Sequence, residues 1–197
     1  MRFPNAAHGA HPWRIHEPAS DVRLDDVWAL PSPGAGGYTP GALYQRFTDN
    51  EELVLAVLDS VEETWSEDVG RLVDREPDPV DALIALARTH AVFCRRDAAQ
   101  LAMALRFDFS GQDHPVDDRL RRTSEGLVKR CTRLITAGRR AGTIPAGPPA
   151  KVVALAFIGA MEGAVIELAG QAPHDELLAA QAAAGALGID PAQVSPA

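Results

Sequence analysis

His8, His11 and His16, followed by Glu17, are donors of the kind that hold a zinc ion. Their spacings of three and five residues fall in a segment broken by Pro4, Pro12 and Pro18, which gives the rings no common face, so no metal site is expected. Cys94 and Cys131 lie far apart and make neither a metal-ligand pair nor a disulfide framework, which fits a reduced setting. Arg95 and Arg96 follow Cys94, and Lys129, Arg130 and Arg133 surround Cys131, the surroundings that activate a redox-sensing thiol. Buried, inert thiols are the preferred reading. The run RLRRTSEGLVKRCTR, residues 119–133, could attract nucleic acid. Asp117, Asp118 and Glu125 interleave with it at helical spacing, so a solvated, ion-paired face is expected. No nucleophile elbow, phosphate-cradling glycine loop or paired carboxylates stand out, so neither an enzyme nor a cofactor is expected.

A different stretch, TPGALYQRFTDNEELVLAVL at residues 39–58, carries a binding rather than a catalytic signal. Thr39 can cap a short helix with Pro40 at its first position, where the missing N–H costs nothing. Thr48 and Glu51 then have the spacing of a capping box, Asp49 and Glu52 repeat it one residue later so that either pair can cap, and Leu53, Val54, Val57, Leu58, Val61 and Trp65 follow at helical spacing. A short helix, a corner and a long helix form the second half of a helix-turn-helix. Its N-terminal residues would face DNA: Thr39, Pro40, Gly41, Tyr44 and Gln45, with Thr39 and Tyr44 donating to phosphate and Gln45 reading a base edge. The cations Arg14, Arg23 and Arg46 are offset by Glu17, Asp21, Asp25, Asp26 and Asp49, so DNA affinity should depend only shallowly on salt.

The elements that position these residues are helical throughout. The chain has 197 residues, 46% of them hydrophobic, enough to bury a real core. Its net charge of −8 argues against bulk nucleic-acid binding but leaves room for a local basic patch. Residues 78–96 read as a helix capped by Asp78, residues 97–107 as a shorter one, and residues 116–142 as a long basic-faced helix closed by Gly142. Residues 150–170 are apolar on nearly all sides, and residues 174–188 form the last helix. The tail from Ile189 is expected to fray. The apolar run around residues 152–161 stops at Glu162, about half the length of a membrane span, and the N-terminus lacks a signal-peptide stretch. A cytoplasmic protein without membrane association is the expectation.

The helix from 150 needs a partner, because one side can bury against its own subunit and the remainder cannot. Phe157, Gly159, Gly163 and Ile166 on this helix, with Leu178 and Gln181 on the next, are the expected homodimer interface, two helices from each chain about a two-fold axis.

Residues 38–60 resemble the recognition helix and linking helix of TetR-type transcriptional repressors through Gly41, Leu43, Tyr44, Phe47, Glu51, Glu52 and Leu53. Residues 134–166, with a G-x-x-x-G-x-I turn and a glycine-bearing helix, are similar to the family's penultimate helix pair. The resemblance covers about residues 38–188. It implies an all-α, TetR-like helical bundle, operator DNA as a partner, and a small-molecule inducer bound among the middle helices. Trp65, His90, Phe93, Met103, Arg106 and Phe107 are the candidate pocket residues, with ordinary core packing as the alternative for the apolar ones. The sequence departs from the family at Asn50, where a lysine is usual, and over residues 1–37, where the first helix of the helix-turn-helix has no counterpart. That opening is more weakly similar to the start of an unrelated, uncharacterised actinobacterial family. The expected organisation is an atypical, loop-rich segment at 1–37, a partial helix-turn-helix and linking helix at 38–58, and a ligand-binding and dimerisation domain at 59–197. The leading function is a ligand-responsive transcriptional regulator. The rival is a dimeric helical ligand-binding protein whose replaced N-terminus no longer binds DNA specifically.

Overall fold

The computed structural model of the chain describes residues 50–168 and 170–190. The proposed DNA contacts Thr39, Pro40, Gly41, Tyr44 and Gln45, the Thr48 cap and the atypical opening lie outside the described residues.

Helix α1 spans Asn50–Trp65 and turns Leu53 and Leu58 inward. It widens into a five-residue π-helical turn, Ser66–Gly70, before a short α2, Arg71–Arg75. Such turns insert one residue per turn and tend to accompany functional sites. Here Val69 and Gly70 are buried, and Arg130 donates to the Gly70 carbonyl at 2.6 Å.

Helix α3, Pro79–Phe93, begins as its sequence dictates. Asp78 Oδ1 accepts from the backbone N–H groups of Val80 at 2.7 Å and Asp81 at 3.1 Å, which satisfies two donors that the first turn leaves free. Helix α4 is Asp97–Phe109 and helix α5 is Pro115–Ala141. Gly142, at φ +79°, closes α5 in the left-handed conformation that a side chain disfavours, and Thr143 N–H returns to the Gly138 carbonyl at 2.9 Å. The chain then folds Ile144 back onto Gly138, so tightly that a Cβ at 138 would sit 2.6 Å from Ile144 Cδ1. The G-x-x-x-G-x-I pattern therefore has a packing reason at its first glycine and a conformational one at its second.

Helix α6, Ala150–Glu167, packs most extensively on α7, His174–Leu187, and α7 in turn lies on α3. Ala179, Ala180, Ala183 and Ala184 are all buried and let these helices approach closely. The main core centres on Leu83, Leu86, Ile135, Phe157 and Met161, none of them with appreciable exposure. Arg95, just beyond α3, clamps the start of α7 through a two-pronged pair with the buried Asp175, at 2.9 and 2.7 Å. Ile189, expected to fray, instead returns its N–H to Ala184 at 2.9 Å and packs on this core. A separate small cluster of Leu58, Leu105 and Val116 joins α1, α4 and the start of α5. Among the described residues there is no strand, and no helix is long and apolar enough to cross a membrane.

Candidate ligand cavity and dimer face

Two separate cores leave a space between them. A cavity of about 710 Å³ lies where α1, α3, α4 and α5 surround it and Glu162 of α6 reaches in, within the size range of small-molecule sites. Leu58, Val61 and Trp65 line it from α1, Phe93 and Cys94 from the end of α3, and Ala99 and Met103 from α4. Each set follows from helical spacing: 58, 61 and 65 share one face of α1, as do 99, 103 and 106 of α4.

Polar and charged groups share the wall with these apolar ones. Trp65 Nε1 donates to His90 Nδ1 at 3.1 Å, and His90 Nε2 lies 3.5 Å from Cys94 Sγ. The indole only donates, so Nδ1 must accept and the ring proton sits on Nε2, aimed at the thiol. Burial, and then the charge of Arg106, lower the His90 pKa from 6.5 to about 4, so the ring is neutral at pH 7. Arg106 meets Glu162 at 2.6 Å and ties α4 to α6. Burial pushes both thiols up to about 12, which leaves them protonated despite their cationic neighbours and fits inert cysteines. Among the described residues no cluster of His, Cys, Asp or Glu is placed to hold a metal.

Five of the six pocket residues read from sequence, Trp65, His90, Phe93, Met103 and Arg106, line the cavity. Phe107 does not. It is 71% exposed, because the inward strip of α4 is occupied at 99, 103 and 106 and residue 107 falls at its outer edge. What the sequence reading missed is the contribution of α5. Arg119, Arg122, Lys129, Arg130 and Arg133 all line the cavity. The expected ion-paired face holds for only part of that run. Arg119 pairs with Asp59 at 2.7 Å and with Glu62, Arg121 pairs with Asp118, and Arg130 pairs with Asp74 at 2.5 Å. Arg122, Lys129 and Arg133 have no partner among the described residues. A signal was present in the sequence: 119, 122, 126, 130 and 133 recur at helical spacing on one side.

Elsewhere on the surface, α6 and α7 expose an apolar stripe. Val152, Leu155 and Ile166 are each 52% exposed, and Leu178 is 39% exposed. Gly159 and Gly163 lie in the stripe with nothing within 4 Å of where a Cβ would stand, and Gln181 and Gly185 continue it on α7. Phe157 corrects the expected interface set. It is fully buried, because 153, 157, 161 and 164 form the inward face of α6 while 152, 155, 159, 163 and 166 form the outward one.

No protein-family model and no curated protein matches the chain. Among solved structures it is similar to AibR in complex with isovaleryl coenzyme A and operator DNA, with a TM-score of 0.60 at 18% identity, over 78% of this chain and 81% of that one. This likeness establishes the fold, an all-α, TetR-like helical architecture.

Proposed function

We propose that the chain is a ligand-responsive transcriptional regulator of the TetR-like kind, acting as a homodimer. The observation that carries the reading is the position of the cavity. It is walled by α1, the helix that comes after the proposed DNA contacts at residues 39–45 in sequence, so a molecule bound there touches the described element nearest to them along the chain. The structural neighbour supports the same reading, since AibR was crystallised with both an acyl-coenzyme A and operator DNA.

Two arginines of α5 supply the coupling. Arg119 lines the cavity and holds Asp59 and Glu62 of α1. Arg130 lines it and holds Gly70 and Asp74, on either side of the point where the π-helical turn enters α2. A ligand that draws on either guanidinium, or displaces Trp65, changes the hold of α5 on α1. Such a ligand favours one orientation of α1, and hence of the DNA-facing residues, by its difference in affinity for the two states. Thr39 and Tyr44 then serve phosphate contacts and Gln45 a base contact. The outer faces of α6 and α7 form the dimer. Their exposed stripe is apolar and nearly uncharged, and the two glycines admit a second backbone, as a self-complementary two-fold interface requires.

Mobility shift on the DNA upstream of the protein's own gene, against random DNA, over a salt titration tests this. Selective binding that weakens only shallowly with salt, and is reduced by Tyr44→Phe and Gln45→Ala, is expected. Equal binding to both DNAs at every salt concentration overturns the regulator reading.

A further inference from the structure

The outer face of α5 is charged in a way that ligand-independent packing does not require. Arg122, Lys129, Arg133 and Arg140 are spaced seven, four and seven residues apart, which aligns them on one side of the helix over about 27 Å. Lys151, near the start of α6, faces the same side, and a second, shallower concavity of about 470 Å³ is lined by Lys129, Arg133, Arg140 and Lys151 with no acidic residue. None of these five cations has a partner among the described residues, whereas Arg119, Arg121 and Arg130 of the same helix are all paired. In a chain of net charge −8, five unpaired cations on one face are a local excess rather than a reflection of composition.

This excess adjoins the apolar cavity. Lys129 and Arg133 line both concavities, so the two meet along that pair. Gly126 also lines the cavity, between Arg122 and Lys129, and nothing stands within 4 Å of where its Cβ would be. A glycine inside a helix is less stable than alanine there, and here it keeps the cavity edge beside the cations clear.

We propose that this cationic face holds the head of the effector whose apolar body fills the cavity, and that the effector class is an amphiphile whose head carries two or more phosphate groups. The proposal rests on the reading of the cavity as the effector site. A single carboxylate would engage one or two of the cations and leave the rest unneutralised. A head with several phosphate charges spans from the shared pair at Lys129 and Arg133 toward Arg140 and Lys151, each phosphate gaining charge-assisted hydrogen bonds. Nucleic acid alone is a poorer match, because its phosphate rows have no use for an apolar cavity beside them.

Calorimetric titration of the full-length protein at low and moderate salt, with decanoyl-coenzyme A, decanoate, decanol and coenzyme A as probes, tests the proposal. Decanoyl-coenzyme A is expected to bind tightest and to weaken with salt. The Lys129→Gln/Arg133→Gln and Arg140→Gln/Lys151→Gln variants should each lose about tenfold or more in affinity for it, with decanol unaffected. These are exposed side chains, so folding is retained and is checked by circular dichroism. If decanol binds as well as decanoyl-coenzyme A, or both variants bind the latter unchanged, the head site is overturned while the cavity reading stands. If coenzyme A binds as tightly as its decanoyl thioester, the amphiphile is overturned. If no probe binds, the proposal falls together with the effector reading of the cavity. Loss of DNA affinity in the variants, with decanoyl-coenzyme A binding intact, assigns the face to nucleic acid and overturns the proposal.

Discussion

Trp65 Nε1 donates to His90 Nδ1 at 3.1 Å, across the cavity wall from α1 to α3. The bond reports directly on the element that would carry a ligand signal. Trp13 and Trp28 lie outside the described residues, so the double variant Trp13→Phe/Trp28→Phe leaves Trp65 as the sole indole. Its fluorescence should shift when a cavity ligand binds, and His90→Phe should shift it without ligand. An unchanged spectrum in both cases would place Trp65 away from the binding event.

The same histidine sets a pH dependence. Its folded pKa, about 4, lies below the ordinary 6.5, so between these values the unfolded chain takes up a proton that the folded one refuses. Stability therefore falls as pH drops from 6.5 toward 4, by at most roughly 1.4 kcal/mol per pH unit. Urea unfolding at pH 7, 6 and 5 should show this slope in the wild type and a flatter one in His90→Gln, which keeps an acceptor for Trp65 and has no titration. Parallel curves would contradict a neutral, buried ring.

Asp175 is buried, and its two oxygens are taken by Arg95 at 2.7 and 2.9 Å. The Arg95 hydrogen bonds hold its carboxyl below the usual 3.8, so its contribution is present above that value and is lost as pH falls further. Asp175→Asn should lower the unfolding free energy at pH 7 by about 1–2 kcal/mol, because the change removes the two-pronged partner of Arg95 and leaves it only Glu176, at 3.6 Å. The gap from the wild type should close below pH 3.8.

One substitution should have opposite signs at two positions of α5. At Gly126 the space is open, and Ala should stabilise by roughly 0.5–1 kcal/mol. At Gly138 the new Cβ meets buried Ile144, and Ala should destabilise by roughly 1–3 kcal/mol despite its better helix propensity. Thermal or chemical unfolding of both variants checks this, and Ile144→Val should relieve part of the second penalty.

The exposed stripe on α6 and α7 predicts a dimer at micromolar concentration in sedimentation. Gly159→Arg or Gly163→Arg places a charge where a second backbone would approach, and should yield a monomer or an aggregate. A wild-type protein that sediments as a monomer removes the interface.

The helices were legible in the sequence because their signals are local. Asp78 before Pro79, Gly142 and Gly188 after their last turns, and apolar residues at helical spacing each act within a few residues of themselves. Part of the cavity wall was legible too, because Trp65, His90, Phe93, Met103 and Arg106 stand out as aromatic, soft or polar residues on amphipathic helices. The rest depended on which face met which neighbour. Phe157 and Gly159 differ by two residues and point to opposite sides of α6, a choice made by the body of the subunit because this helix is apolar all round. Phe107 looked like Phe93 in sequence, yet lies outside because the register of α4 gives the inward line to Met103 and Arg106. The arginines of α5 looked alike as a run. Only tertiary packing divided them, since acids brought from α1 and α2, distant in sequence, neutralise Arg119 and Arg130 and reach none of Arg122, Lys129 and Arg133.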